Sequence, residues 1–492
     1  MHEARVGSLI SDLLSLEKPC GGHGRCGKCK VRAVGLLSPF TESEQRILTD
    51  EEKKNGTRLA CTTAILGECE ITAAIGRSKK TEIVTEGIMP DCKLSPAFKS
   101  YGVAIDIGTT TLAAKLYGAS GAVLASASDL NPQSVYGADV ISRIEAHLKG
   151  KGNELALLIR EAINKLIVKM SCDADISANS IDAVTVTGNT AMLYLLTDTS
   201  PKALSHAPFD ADRLFGESVS ASDLCLSALM PDTEVYLAPC ISAFVGADTV
   251  CALLSSNLSE HSSPALLVDI GTNGEMALCS NGRLSVCSTA AGPAFEGGGI
   301  SMGLRGADGA IDKVSIVNGK LLAHVIGDTE AEGICGSGLV DAAACLLDTE
   351  ELDETGLLED GDAVISGKVV LTQQDIRMLQ LAKSAINAGM LTLIDEGGIE
   401  PCDVSHMYIA GGFGNYLNIR SGVKIGLIPG ELEDKIKVIG NAALSGASLL
   451  LLDKDMRNKA TLISKNADTL ELSTNKSFSE RYMYGMLFGE NE

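Results

Sequence analysis

Asp-Ile-Gly-Thr occurs twice in this chain, at 106–109 within YGVAIDIGTTTLAAKLYG and at 269–272 within ALLVDIGTNGEMALCSNGRLSVC. Each copy ends an apolar run that reads as a buried strand, turns on glycine, and enters a second strand. The second copy continues through Asn281-Gly282, a hairpin signal, into a third strand. A supersecondary unit that recurs in this way predicts two related subdomains, the second starting near residue 264. At 492 residues the chain is too long for one hydrophobic core, and two or three domains are expected.

A strand that ends in Asp and turns through Gly-Thr suits a phosphate. Gly108 and Gly271 let the backbone approach an anion. Thr109, Thr110, Thr111, Thr272 and Asn273 offer N–H and side-chain donors. Asp106 and Asp269 stand where each could hold the water shell of Mg²⁺. A third glycine turn, AGGFGN at 410–415, follows another strand and would let an adenosine lie on bare backbone. ICGSGLVDAAACLL puts Gly336, Ser337 and Gly338 at a helix start, where free N–H groups bind anions. Close helix packing explains the same glycines equally well. AAGPAFEGGGISMGLRGADGAI is too glycine-rich for a core element and is expected near the nucleotide or the hinge between subdomains.

The N-terminal region has a different composition. Cys20, Cys26 and Cys29 fall within ten residues, and Cys61 follows after 31 more. Ferredoxin-type [2Fe–2S] clusters use three clustered thiolates and a distant fourth. Glycines 21, 22, 24 and 27 would let the loop wrap around such a cluster, with N–H groups directed at its sulfurs. Zinc is the competing reading, but structural zinc sites come as two Cys-x-x-Cys pairs and only one is present. Cys69 and Cys92 read as spare thiols. SLISDLLSL at 8–16 reads as a short amphipathic helix, and KCKVRAVG and ECEITAAIG read as strands. Lys18, Arg25, Lys28, Lys30 and Arg32 occur with no acidic residue between Lys18 and Thr41. They offer a docking patch for an acidic electron donor or acceptor, an offset to cluster charge, or a solvated face.

The expected organisation is therefore α/β: a small α+β ferredoxin-like (β-grasp) unit over 1–76, a linker over 77–99, and a two-subdomain nucleotide-binding unit over 100–492. The net charge of −22 argues against nucleic acid as a partner. No apolar stretch approaches transmembrane length and no targeting segment is visible, so the expectation is a cytoplasmic protein without a membrane partner.

Taken together, VAIDIGTTT, VTGNTAML, LLVDIGTNGE, AGPAFEGGGI, ICGSGLVDA, IAGGFGNYLNI and VIGNAALSGA resemble the blocks of the reductive activators of corrinoid proteins, over about residues 99–455. The ferredoxin unit in front resembles them separately. The resemblance implies a two-subdomain, actin-like ATPase of the acetate and sugar kinase, Hsp70 and actin superfamily, a duplicated ribonuclease-H-like fold. It implies that ATP with Mg²⁺ drives an electron from a [2Fe–2S] cluster to the Co(II) of a corrinoid protein in a methyltransferase system, restoring Co(I). It implies Cys20, Cys26, Cys29 and Cys61 as cluster ligands and Asp106 and Asp269 as catalytic. Asp106 to Thr110 and Asp269 to Gly274 would be the phosphate turns, and Gly411, Gly412, Phe413 and Gly414 the adenosine turn. A low-potential electron donor and a homodimer are further expectations. The family resembles a three-part design, whereas only about twenty residues lie between the ferredoxin unit and the first Asp-Ile-Gly-Thr strand here.

Three rival readings remain. One is a small-molecule kinase with a redox sensor, with Asp269 or Glu275 as its base. The second is a non-catalytic nucleotide switch. The third is the activator of another low-potential enzyme, such as a radical dehydratase, for which Cys335 in GICGSG would be the telling residue. A core thiol is the competing reading of that cysteine.

Overall fold

The two Asp-Ile-Gly-Thr copies lie on the central strands of two six-stranded sheets built on one plan. The structure is a computed structural model and describes residues 6–14, 22, 24, 27–73, 83–359 and 361–489. In the first lobe, Tyr101–Ile107 pairs antiparallel with Thr111–Gly118, which pairs antiparallel with Val123–Leu130. On its other side Tyr101–Ile107 runs parallel to Ile181–Gly188, and that strand runs parallel to Glu234–Leu237. The second lobe repeats this. Ala265–Ile270 pairs antiparallel with Gly274–Ser280, then Arg283–Thr289, and on its other side runs parallel to His406–Ala410, then Ile436–Gly440. This is the duplicated ribonuclease-H-like arrangement. The central strands are buried on both faces, which explains their continuous apolar sequence. The Asn281-Gly282 hairpin is present, with both residues in left-handed backbone (φ +52° and +73°).

Helix Gly152–Asp173 buries Leu155, Ile159, Ala162 and Leu166 on the face that the sequence spacing predicts. Two shorter helices cross at the junction of the lobes. Ala247–Ser256 leads from the first sheet to the second, and Ala442–Leu452 returns from the second sheet into the first lobe's core. They pack backbone to backbone at Gly446, where a Cβ would lie 2.0 Å from the Cys251 carbonyl oxygen. Any larger residue there would drive the helices, and with them the lobes, apart.

Residues 83–99 form no regular element but are stitched to both lobes. The Ile88 N–H donates to Ile439 O (3.0 Å), and the Ser95 and Ala97 N–H groups donate to Leu452 O and Leu451 O (2.9 and 2.8 Å). Lys115, on the first sheet, donates to Glu86 (2.9 Å).

The N-terminal unit has its own core around Ile10, Val31, Leu48, Leu59 and Ile65. Its sheet has Lys30–Leu37 in the middle, antiparallel to Thr57–Leu59 and Ile65–Ala73. Over residues 8–14 the expected helix is corrected to a 3₁₀ turn at Ile10–Asp12, while the last two residues of the 8–16 segment lie outside the described residues. The chain before that turn is drawn into the sheet: the Gly7 N–H donates to Ile65 O, the Ile65 N–H donates to Ser8 O, and Leu9 bridges Ala64. Those sheet bonds satisfy the backbone groups that a helix would have needed. The polar stretch 41–56 holds two short helices, Glu42–Ile47 and Asp50–Lys54, each opened by a capping box, Thr41 with Glu44 and Thr49 with Glu52. Among the described residues no helix is long and apolar enough to cross a membrane.

Candidate functional site

Two candidate sites emerge, one on the N-terminal unit and one between the lobes. On the first, Cys29 and Cys61 are buried side by side with their sulfurs 3.2 Å apart. That is too long for a disulfide, whose S–S distance is about 2.05 Å. Cys20 and Cys26 lie outside the described residues. The glycines between the cysteines fit a tight wrap. Gly22, Gly24 and Gly27 all have positive φ (+83°, +64° and +66°). A Cβ on Gly24 would lie 2.7 Å from Thr62, and one on Gly27 would lie 2.9 Å from Ile47. The paired, buried thiols and the close backbone fit a thiolate-held cluster.

A buried ion pair fixes the Cys61 side of this site. The fully buried Glu44 accepts from Arg58 at both oxygens (2.8 and 3.0 Å), from the Leu59 N–H (3.0 Å) and from the Thr63 hydroxyl (2.9 Å). Burial pushes the Glu44 carboxyl up, but the Arg58, Thr41, Leu59 and Thr63 hydrogen bonds outweigh it and hold the pKa down at about 2. A depressed folded pKa contributes stability above the usual carboxylate range, which is lost as pH falls toward about 2. Glu44→Gln strands Arg58 and is expected to cost about 3–5 kcal/mol in the N-terminal unit. Denaturant unfolding followed by the loss of visible cluster absorbance checks this. An unchanged midpoint would mean that the pair does not support the Cys61 loop.

The basic residues are partly engaged within the chain. Lys30 pairs with Glu52 (2.7 Å), and Lys28 donates to Gly303 O of the second lobe (3.1 Å). Lys18 and Arg25 lie outside the described residues.

The second site is the cleft between the lobes. Asp106 and Asp269 lie one residue from the ends of equivalent central strands, and Asp106, Asp269 and Glu275 all feel the charge of Asp248. Burial raises the Asp106 pKa to about 7 against the hydrogen bond from Asn441, and the charges of Asp248 and Asp269 add to the rise. Burial and Asp248 raise Asp269 to about 7. Burial raises Asp248 to about 6 against hydrogen bonds around Thr249. Burial, Asp248 and Asp269 raise Glu275 well above its usual value. Burial and mutual repulsion make these four carboxyls resist ionisation, although among the described residues no group of three or more acidic, His or Cys side chains is placed to hold a metal ion directly.

The sign of the pH dependence follows from these shifts. A carboxyl whose folded pKa is raised opposes folding once it ionises. For Asp106, Asp248 and Asp269 that cost is absent below about pH 4 and is fully present above about pH 7. The rise in Tm on adding Mg²⁺ with nucleotide is therefore expected to be larger at about pH 8 than at about pH 5.5. Thermal unfolding at both values checks it, and equal shifts would contradict a cation among these carboxyls.

The glycine turns have distinct local causes. The Gly108 N–H donates to Thr111 O and the Gly271 N–H to Asn273 O, which closes the two turns. A Cβ on Gly274 would clash with Ile386 at 2.2 Å. The Thr110 and Thr272 hydroxyls, one from each lobe, both donate to Glu296 (2.5 and 2.9 Å). Gly411 has φ +89°, and a Cβ there would lie 2.4 Å from an Asp269 oxygen; Gly412 faces open space. Phe413 stacks on Phe295, with ring centroids 4.6 Å apart. Gly336 and Gly338 are pressed against the backbones of Phe295 and Ile311, where a Cβ would lie 2.0 and 2.2 Å from carbonyl oxygens, and Ser337 donates to Asp312 O. Close packing accounts for this helix start.

Sequence reasoning missed several residues that the fold delivers here. Asn189 caps helix Thr190–Thr197 and donates to the Thr109 hydroxyl (3.0 Å). Asn441 caps helix Ala442–Leu452 and donates to Asp106 (3.1 Å). Asp248 lies in the first turn of helix Ala247–Ser256. Arg143 is fully buried and donates to Thr109 O (2.6 Å). Its pKa is lowered to about 10 chiefly by burial, with Asp139 and Glu296 acting against the fall and Arg305 adding to it.

Comparison with known proteins covers nearly the whole chain. Residues 9–66 match the family model of the 2Fe-2S iron-sulfur cluster binding domain, 101–261 that of the RACo middle region, and 263–492 that of the C-terminal domain of RACo, the ASKHA domain. The middle-region model falls on the first lobe, after the short stretch that precedes it. The chain is 37% identical over 424 residues to the corrinoid activation enzyme RamQ of Eubacterium limosum, covering 80% of this chain and 71% of that protein. It is 28% identical over 415 residues to the [Co(II) methylated amine-specific corrinoid protein] reductase of Methanosarcina barkeri, covering 78% and 76%. A solved structure of a reductive activator for corrinoid, iron-sulfur protein superposes with a TM-score of 0.73 at 27% identity, over 100% of this chain and 97% of that one.

Proposed function

The chain belongs to the RACo family of reductive activators of corrinoid proteins, and on that premise we propose that it uses ATP to drive one electron onto the Co(II) of a corrinoid protein, restoring Co(I) for methyl transfer. The carrying observation is the union in one chain of a paired-thiol ferredoxin core and a two-lobed carboxylate cleft. We divide the chain into a cluster-bearing unit to residue 76, a linker over 77–99, and an ATPase from 100, with its second lobe from near 264. A cluster loop that needs free thiolates suits a reducing cytoplasm.

In this reading Cys29 and Cys61, with Cys20 and Cys26, hold a [2Fe–2S] cluster. When bound, it supplies single electrons at a potential near about −400 mV. Thr109, Thr110, Thr272 and Asn273 donate to phosphate oxygens, and Gly108, Gly271 and Gly274 keep those turns narrow. Asp106 and Asp269 orient the water shell of Mg²⁺. Asp248, with a raised pKa, is suited to take the proton of an attacking water. Gly411, Gly412, Phe413 and Gly414 receive the adenosine. Gly336 sets the position of Phe295 from behind, while Ser337 and Gly338 pack on Asp312 and Ile311.

Reducing a cobalt centre whose potential lies below that of the cluster is uphill by about 1.4 kcal/mol for each 59 mV. ATP offsets this only by favouring one arrangement of the complex over another. Two lobes hinged at crossing helices provide that two-state element. The test is anaerobic: a Co(II) corrinoid protein from the same organism, a low-potential reductant, and the visible spectrum with and without ATP. Co(I) is expected only with ATP. Equal reduction in both samples would overturn the reading.

A further inference from the structure

We propose that Glu296 is a positioning residue that holds the two phosphate-turn hydroxyls, Thr110 and Thr272, until nucleotide phosphates displace it, and that its loop passes the displacement to Lys28 beside Cys29. This rests on the reading of the cleft as an ATP site. The two oxygens of Glu296 accept one hydroxyl from each lobe, so a single carboxylate ties the lobes together. Those hydroxyls are the donors that a phosphate would use, and two anions cannot share them. The buried Arg143 feels the charge of Glu296, so one guanidinium lies within reach of the carboxylate and of a phosphate that replaced it.

The adjacent residue points to the other end of the same ligand. Phe295 stacks on Phe413 of the adenosine turn, and Gly336 is pressed against its carbonyl. Phe295-Glu296 thus touches both turns that a nucleotide would span. Beyond it the loop is knotted. A Cβ on Gly297 would lie 2.5 Å from Leu304 O, and a Cβ on Gly303 would lie 2.1 Å from Gly297 O. A shift at Glu296 therefore cannot be absorbed before Gly303, because the two backbones are already in contact. Gly303 O accepts from Lys28, the residue before Cys29. The path from phosphate to cluster loop is continuous: hydroxyl, carboxylate, knotted loop, carbonyl, ammonium.

Hydrogen exchange on the intact native protein tests this, alongside calorimetry with Mg²⁺ and a non-hydrolysable ATP analogue. The analogue is expected to bind and to raise exchange in peptides covering 27–30 and 297–306. Glu296→Gln is expected to bind it roughly tenfold more tightly, because a competing charge is gone, and to show raised exchange at 27–30 before any nucleotide is added. Lys28→Met, which leaves the cleft's own residues intact, is expected to bind the analogue more tightly than the native protein, because binding no longer has to disturb the Lys28–Gly303 contact, and to lose the nucleotide effect at 27–30. Weaker binding by Glu296→Gln would make Glu296 a ligand of the nucleotide or its metal and would overturn the proposal. So would normal binding to the native protein with no change at 27–30. No binding at all would overturn the ATP reading itself.

Discussion

Cys61→Ser is expected to purify with at most about half the iron of the native protein, to lose the visible spectrum of a [2Fe–2S] cluster, and to form no Co(I) with ATP present. Cys61 is buried in the core of the N-terminal unit, 3.2 Å from Cys29, so a hydroxyl there replaces a soft thiolate ligand by a hard, weakly acidic one. The damage should stay local. The two lobes have hydrophobic clusters of their own that share no residue with this one. ATP binding and the thermal transition of the lobes should therefore match the native protein. Iron analysis, the visible spectrum and calorimetry on one preparation decide this. Full iron content with a native spectrum would remove Cys61 from the ligand set.

Asp269→Asn should do the opposite. The cluster spectrum should be native, while ATP-dependent reduction falls by about 100-fold or more, the range for losing a preorganised group at a developing charge. Asn matches Asp in shape, so the close contact with Gly411 is kept. One carboxyl fewer in a cleft that resists ionisation should raise Tm without Mg²⁺ at about pH 8, and should shrink the further rise that Mg²⁺ with nucleotide produces. Activity lost while stability is gained marks a residue kept for chemistry. A variant with native turnover would remove Asp269 from the reaction.

Much of this architecture was legible because strand and turn signals are local. Both Asp-Ile-Gly-Thr strands are buried on both faces and so are continuously apolar, and Asn281-Gly282 announces its hairpin. The glycine-rich stretch after residue 290 reaches both Asp-Ile-Gly-Thr turns through Glu296, a contact its composition alone does not specify. The 8–16 segment misled because a few leucines fit a helix or a strand bridge equally, and only the distant strand Ile65–Ala73 decides between them. The capping boxes at Thr41 and Thr49 were written plainly as Thr-x-x-Glu inside a stretch read only as polar.

The cleft was half legible. Asp106 and Asp269 carry a motif, whereas Asp248, Asn189 and Asn441 begin helices and reach the cleft only because the helices pack across it. A signal existed in the Gly-Asn pair that follows an apolar strand at both 188–189 and 440–441. Arg143 carries no motif, and Glu296 lies inside the AGPAFEGGGI block without being singled out by it, since the partners of both lie on other elements.

The central claim is that the carboxylate cleft drives the electron from the ferredoxin unit to cobalt. Its most direct test starts from protein with a pre-reduced cluster, mixed anaerobically with a Co(II) corrinoid protein, then with ATP, while both visible spectra are followed. The account predicts that Co(I) appears and the cluster oxidises together, one for one, only after ATP is added. Co(I) that forms while the cluster stays reduced, or that forms equally fast before ATP, would contradict it.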